Sequence, residues 1–233
     1  MNDLAPPAQR AAGWERAVGL IGGALFVGCL ALLLFASAGR NDLLEHWAYL
    51  ALWATASVLG VLSAPAGLIY ERLRSATAGE DRATAKVLVF VWLVQHILAG
   101  LDAGRMHWTD TVPATFRGGA FILMALGLGV IVWAQAVNPF FSSAVRIHSE
   151  RGHYVVAQGP YRWVRHPAYG ASLLVFVFAG LALNSWLAAG VGVLLFALIL
   201  RRTIVEDELL RQHLSGYAAY AERVRYRLFP YVW

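Results

Sequence analysis

The stretch at residues 168–200 reads AYGASLLVFVFAGLALNSWLAAGVGVLLFALIL and contains no charged side chain. About 20 apolar residues let a helix cross the hydrocarbon core of a bilayer, so this stretch is too long for one upright span. Asn184 and Ser185 interrupt it near its middle. It therefore predicts a membrane-embedded helical hairpin that turns at these two residues. Each leg would have roughly 15 residues and a length of about 23 Å, which is short for a full span.

Four other apolar stretches precede the predicted hairpin. They cover residues 17–38, 47–70, 87–101 and 118–137. The third contains Gln95 and His96, for which a functional role and hydrogen bonding to a neighbouring helix are both open. The chain is 59% hydrophobic and only 14% charged, whereas a soluble domain carries about 25% charged residues. We predict an all-α, polytopic membrane protein in which four N-terminal spans (residues 1–137) and the C-terminal region (residues 138–233) form one integrated domain.

The positive charges are distributed unevenly over the predicted loops. If the N-terminus is inside, Arg40, Arg105 and Arg117 are the only ones of the 19 Lys and Arg residues that fall outside. Because Lys and Arg are enriched in cytoplasmic loops, this pattern predicts a multi-pass protein of the cell (inner) membrane with both termini cytoplasmic. The polar segments 138–167 and 201–233 then lie on the same side and can meet. The net positive charge indicates contact with anionic membrane lipids rather than with nucleic acid.

The densest group of chemically capable residues is HYVVAQGPYRWVRHPAY at residues 153–169. Gly159 and Pro160 mark a turn, and Pro167 suits the first turn of the helix that follows. An interfacial loop anchored by aromatic and basic side chains would explain Trp163 and its neighbouring arginines. That alternative does not explain two His, two Pro and three Tyr in one short segment.

The sequence after the hairpin is polar and predicted to be helical from Arg201 onward. A second group of candidate residues, which is acidic, lies in it at residues 206–208. The C-terminal end of a helix favours cations, so carboxylates at this place are unusual. Glu206 shares a helix face with Arg202, four residues earlier, and is expected nearest the bilayer, where it could point into a cavity. Asp207 and Glu208 are expected to pair with nearby arginines on a solvated surface.

The motif Gly-Pro-Tyr-x-x-x-Arg-His-Pro-x-Tyr at residues 159–169, the hairpin, the acidic pair and a terminal Tyr-x-x-Tyr together resemble the isoprenylcysteine carboxyl methyltransferase family. Phospholipid N-methyltransferases share part of this pattern. The resemblance covers roughly residues 138–230. It implies a methyltransferase that uses S-adenosylmethionine, releases S-adenosylhomocysteine and binds the cofactor at the cytoplasmic face of the membrane.

The resemblance also implies roles for individual residues. Those implied to bind the cofactor are His153, Tyr154, Val155, Val156, Tyr161, His166, Pro167, Ala168, Tyr169 and Glu206. Arg202 matches a residue linked to the substrate carboxylate and is our candidate catalytic residue, while Arg146 falls where some members have a Gln that contacts the cofactor. The sequence departs from the family pattern at Asp207, where many members have a second Glu, and at residues 214–216, where Phe-Gly is usual.

These residue types suit the implied chemistry. The rings of Tyr161 and Tyr169 can face the sulfonium cation, at ~0.5–2 kcal/mol each. Glu206 can accept from the ammonium or the ribose hydroxyls, and His166 can donate to the carboxylate or the ribose. No residue stands out as a dedicated base, which favours a carboxylate or an already deprotonated thiol as methyl acceptor.

Several alternatives remain open from the sequence alone. The acceptor could be an isoprenylcysteine-like carboxylate, a lipid amine, a thiol or another lipidic or amphipathic molecule, and a non-catalytic sensor or scaffold could retain the fold. A transporter is weakly supported, because Gln95 and His96 alone do not make a polar pathway. The seven His show no metal-ligand spacing beside acids, so we expect no metal. His148 is expected at the surface, and Asp102 in a solvated outer loop.

Overall fold

The computed structural model describes residues 7–75, 81–142 and 144–233, and within these ranges it is helical without β-strands. The α-helices are α1 (Pro7–Ala38), α2 (Leu44–Ser63), α3 (Leu68–Ser75), α4 (Arg82–Leu101), α5 (Ala114–Val137), α6 (Pro167–Ala182), α7 (Trp186–His213) and α8 (Tyr217–Arg223). A π-helical turn at Asp102–Met106 continues α4. The predicted all-α class is confirmed.

Five helical segments are long and apolar enough to cross a membrane. They are Gly13–Ala38, Leu44–Ser63, Arg82–Met106, Ala114–Val137 and Trp186–His213, and α6 is a shorter apolar helix. Their outer surfaces are apolar, since Leu25, Leu32, Phe90 and Ile122 are between 64% and 71% exposed. Exposed apolar side chains in this number are stable against lipid rather than water. The predicted four spans followed by a helical hairpin are therefore present, while the direction in which they cross the membrane stays a prediction.

Two of the predicted boundaries are wrong, and the first lies in the second span. Residues 47–70 do not form one kinked helix, because α2 ends at Ser63 and α3 starts at Leu68. Pro65 lies between them, and Gly67 adopts a positive φ of 79° that most side chains disfavour. Proline lacks the N–H that an interior helical residue donates, so the break is local and clear.

The second wrong boundary is the end of the hairpin, which turns where the sequence predicts but has a longer second leg than expected. Asn184 has a left-handed φ of 60°, and the hydroxyl of Ser185 accepts a hydrogen bond from the Ala188 amide at 3.0 Å, which caps α7. α7 then runs for 28 residues to His213. The leg is longer than the roughly 15 residues expected, because the polar helical segment predicted from Arg201 continues it without a break.

Glycines allow α6 and α7 to pack backbone against backbone. A Cβ on Gly180 or Gly192 would clash with the main chain of the opposite helix. Small residues drive close helix approach in membranes, where the hydrophobic effect does not favour helix association. The side-chain amide of Gln95 in α4 donates to the carbonyls of Phe176 at 2.7 Å and Ala188 at 2.9 Å, which binds α4 to both legs. The contacts of Gln95 are those of a packing residue.

We expect Gly192→Ala to destabilise the protein by about 1–3 kcal/mol, because the added methyl group forces α6 and α7 apart. Thermal unfolding in detergent measures this change. Gly190→Ala is the matched control, because Gly190 lies on the same helix and a methyl group added there would meet no atom within 4 Å. Equal stability of the two variants would contradict close hairpin packing as the source of stability.

His96 and Asp102 are also held inside the fold. The Nε2 atom of His96 lies 2.6 Å from the Tyr49 hydroxyl, and its Nδ1 atom lies 2.7 Å from the Trp92 carbonyl oxygen. Asp102 was expected to be solvated, and this expectation is wrong, since the residue is 0% exposed. The π-helical turn directs its carboxylate inward, where it accepts from the Ser185 hydroxyl at 2.5 Å and the Thr109 amide at 2.7 Å. These bonds tie α4 to the hairpin turn.

The two polar segments meet at the opposite end of the hairpin from Asn184. The amide of Arg165 donates to the Tyr226 carbonyl at 2.9 Å, and the amide of His166 donates to the Arg227 carbonyl at 2.8 Å. The C-terminal residues thus lie directly against the start of α6. The meeting of the two segments agrees with the predicted topology.

Candidate functional site

A cavity lies between residues 138–169, the polar half of α7 and α8, and it encloses about 840 Å³ together with its opening to solvent. Every residue that the family resemblance implied for the cofactor lines it: His153, Tyr154, Val155, Val156, Tyr161, His166, Pro167, Ala168, Tyr169 and Glu206. Residues far apart in the chain are therefore gathered around one space.

Tyr169 and Glu206 are in direct contact inside this cavity. The Tyr169 hydroxyl donates a hydrogen bond to the Glu206 carboxylate at 2.6 Å. Pro167 opens α6 and places Tyr169 in its first turn, while Glu206 lies on the facing side of α7. The two legs of the hairpin thus supply a phenol and a carboxylate to the same wall, at the end opposite the turn.

Arg202 stands behind this pair rather than in the cavity wall. It is buried one turn before Glu206, and its Nε atom donates to the Tyr169 hydroxyl at 2.9 Å. It is not among the residues that line the cavity. The guanidinium therefore orients the Tyr169 hydroxyl and lends positive charge to the Tyr169–Glu206 pair.

Asp207 was expected on a solvated surface, and this expectation is wrong. It is 1% exposed, and Arg165 binds it with a two-pronged contact at 2.7 and 3.1 Å. Arg227 donates at 2.9 Å, Arg211 at 3.3 Å and the Tyr217 hydroxyl at 2.9 Å. A carboxylate this deeply buried is stable only with such partners. Asp207 therefore joins the sequence motif, α7, α8 and the C-terminal residues beneath the cavity.

His166 connects this buried network to the cavity. Its ring stacks on Tyr169, with ring centroids 5.8 Å apart and planes inclined by 10°. Its Nε2 atom lies 3.3 Å from both the Asp207 carboxylate and the Tyr217 hydroxyl. The ring is thus held at a fixed angle in the wall.

Tyrosines and a histidine form the less polar part of the wall. Burial raises the pKa of Tyr161, Tyr217 and Tyr220 above the usual value of 10, so these phenols stay protonated. Burial also lowers the pKa of His153 to about 4, so its ring is neutral near pH 7. The His153 ring packs on Phe140 with centroids 4.3 Å apart. This part of the wall presents ring faces and neutral donors.

Charges of both signs border the cavity. Among the described residues that line it, Glu206 is the only carboxylate, and Arg146 and Arg165 are the cations. The arginines already bind carboxylates outside the cavity, whereas Glu206 receives a hydrogen bond from a neutral phenol. The arrangement suits a ligand that carries a positive group toward Glu206.

His148 was expected at the surface but is 1% exposed, in a cluster that the sequence did not reveal. Its ring lies beside Glu71 and Glu150, and one ligand atom from each of the three residues falls within 4.8 Å of the others. The guanidinium of Arg146 binds both carboxylates, at 2.8 Å for Glu150, and so supplies a cation to the cluster. Glu71 comes from α3, far along the chain, which is why spacing alone did not place it here. The absence of a metal ion stays a prediction.

Comparison with known proteins supports the resemblance. The model of the isoprenylcysteine carboxyl methyltransferase (ICMT) family matches residues 120–212, which include most of α5, the motif, the hairpin and Glu206. The match covers less than half of the chain and confirms the suspected family over that region. No curated protein matches the chain. The matched region is thus of the membrane methyltransferase type in general terms.

Proposed function

Because residues 120–212 match the ICMT family, we propose that this protein is an S-adenosylmethionine-dependent methyltransferase of a cell membrane, with its site facing the cytoplasm. The acceptor is a lipidic or amphipathic molecule, with an isoprenylcysteine-like carboxylate as the family's type. The observation that carries the proposal is the contact of Tyr169 with Glu206 in a single cavity that also gathers the motif residues.

The residues present fit the proposed cofactor. Its sulfonium is a cation, which the ring faces of Tyr161 and Tyr169 attract. Its ammonium and ribose hydroxyls are donors, which the Glu206 carboxylate accepts. His166 presents its ring beside Glu206, with Nδ1 at 3.9 Å from that carboxylate.

When bound, S-adenosylmethionine would supply a methyl group on a positively charged sulfur. The task of the protein is then to align this group with the acceptor and to exclude water, which can contribute ~7–11 kcal/mol to lowering the barrier. Neither histidine of the wall suits the role of a dedicated base, because His166 already contacts Asp207 and Tyr217 and the pKa of His153 is lowered to about 4 by burial. A carboxylate or a preformed thiolate acceptor needs none. We propose that Arg202 attracts an acceptor carboxylate by its positive charge from behind the wall, where it donates to the Tyr169 hydroxyl.

A labelling experiment tests the proposed activity. Membranes that contain the protein are incubated with S-adenosylmethionine carrying a radioactive methyl group, and lipid and protein fractions are separated. We expect label in an apolar fraction, and its loss with Glu206→Gln. Cofactor binding without any labelled product, in membranes and in added lipid extracts, would contradict catalysis and favour a sensor.

A further inference from the structure

A second cavity lies in the N-terminal half of the protein, between α1, α2 and α5. It measures about 870 Å³ together with its open mouth, and its walls are mostly glycine, aliphatic and aromatic residues, among them Gly22, Gly60, Leu128 and Ile131. Its helices are three of the predicted membrane spans. It shares no lining residue with the cavity that holds Glu206.

Glycines keep this second cavity open. Gly22 has no atom within 4 Å of the position that a Cβ would take, and Gly60 has only the Gln135 side-chain amide, at 3.6 Å. The walls of this open cavity are mostly apolar, and covering apolar surface is favourable. Among lipids, an apolar chain is the occupant that such walls favour.

Arg72, from α3, lies at one end of the apolar walls. Its Nε atom donates to the Phe141 carbonyl at 3.2 Å, and its guanidinium lies 5.3 Å from the centre of the Phe141 ring. Within residues 13–72, 81–142 and 144–233, no carboxylate pairs with it. Burial lowers the pKa of Arg72, which reflects a charge removed from water without a compensating anion. An anionic group at this end would restore that compensation.

Phe141 connects the two cavities. Its backbone and ring hold Arg72, which lines the second cavity, and Phe141 itself lines the cavity of Glu206. Only the Phe141 side chain therefore separates a group bound by Arg72 from the proposed cofactor site. Gln135, which follows Leu128 and Ile131 on α5, closes the same region by donating to the Gly60 carbonyl at 2.5 Å.

We propose that the second cavity binds an anionic amphiphile, with its apolar chain between α1, α2 and α5 and its head group at Arg72. The chemistry requires one negative charge at the end of a hydrocarbon chain. Two sources provide it: a methyl acceptor for the neighbouring site, which rests on the proposed function, or an acidic lipid that resides in the protein.

Binding of matched probes to the purified protein tests the site. Oleate carries the negative charge, and oleyl alcohol has the same chain without it; both are measured by native mass spectrometry from a non-ionic detergent. We expect oleate to bind at least tenfold more tightly than oleyl alcohol. Arg72→Gln should remove this preference, whereas Arg82→Gln, which removes an exposed cation on α4, should keep it. Equal binding of the two probes by the unmodified protein overturns the proposal.

Filling the cavity tests the place of the chain. Gly60→Leu and Gly22→Leu should each weaken both probes at least tenfold, because the added side chain occupies the space. Gly129→Leu is the control, since Gly129 is exposed on α5 with nothing within 4 Å. Unfolding temperature and S-adenosylmethionine binding of each variant separate lost chain binding from lost folding. Unchanged oleate affinity in both cavity variants overturns the proposal.

Two labelling results distinguish a methyl acceptor from a resident acidic lipid. Transfer of a labelled methyl group to oleate identifies the occupant as an acceptor, and bound oleate that stays unlabelled identifies a resident acidic lipid. Either result supports the site. If no molecule is ever labelled, the proposed methyltransferase activity is contradicted. The oleate binding measurements test the second cavity independently of that result.

Discussion

Glu206→Gln is expected to weaken the binding of S-adenosylmethionine at least tenfold while leaving the fold intact. Glu206 is the only carboxylate among the described residues that line the cavity, so its loss removes the single negative charge available to a cationic ligand. Gln keeps the size and can still accept from the Tyr169 hydroxyl, which now donates at 2.6 Å. Hydrogen bonds to charged groups contribute ≈ 1.5–3 kcal/mol, enough for a tenfold effect. Titration calorimetry measures the affinity.

The same helix offers a matched control for this prediction. Glu208 lies two residues further along α7, is exposed and bonds to Gln212 at 2.6 Å. Glu208→Gln makes the same change in charge and should leave cofactor affinity within twofold. The loss of affinity is then measured for both S-adenosylmethionine and S-adenosylhomocysteine. S-adenosylhomocysteine lacks the sulfonium but keeps the ammonium and the ribose. A larger loss for S-adenosylmethionine places Glu206 near the sulfonium, and equal losses place it at the other groups. Unchanged affinity for both would refute the site assignment.

Asp207→Asn is expected to destabilise the protein by about 3–5 kcal/mol, the usual result of removing one partner from a buried ion pair. Asn has nearly the same shape, but Arg165, which is buried beside it, would lose its counter-charge. Arg227 and Arg211 would lose theirs in part, because their side chains are partly exposed. Thermal unfolding in detergent measures the change, and Glu208→Gln again controls for the loss of charge on α7.

This substitution should also reduce cofactor affinity. His166 stacks on Tyr169 and lies 3.3 Å from the Asp207 carboxylate, so a weakened network frees the His166 ring in the cavity wall. An unfolding temperature equal to that of the unmodified protein would show that the network does not stabilise the fold.

The sequence predicted the elements whose signals are local. Asn184 and Ser185 interrupt an apolar run, and the hairpin turns at these residues. The residues that the family resemblance implied for the cofactor line one cavity, while their roles and their ligand are still proposals. The helical continuation beyond Arg201 was also predicted, because good helix formers follow Leu200, and α7 includes it without a break.

Features that depend on partners distant in the chain were missed. Asp207 lies close to Arg202 and Arg211 in the sequence, and short-range pairing on a surface was the natural interpretation. Two of its actual partners, Arg165 and Arg227, lie 42 and 20 residues away. The burial of His148 was also missed, because its neighbour Glu71 lies in α3, far away in the sequence. Long-range pairing of this kind depends on tertiary packing that periodicity and composition do not reveal.

The backbone bonds from Arg165 and His166 to the carbonyls of residues 226 and 227 have a thermodynamic consequence. Arg165 and His166 also line the cavity. Ligand binding in the cavity and attachment of the C-terminal residues therefore depend on the same two residues. Energetic coupling between two binding events is reciprocal. To the degree that a ligand in the cavity tightens this attachment, tight attachment raises the affinity for that ligand by an equal factor. A partner that binds the exposed Tyr231 and Val232 would then change the ligand affinity of the cavity from outside it.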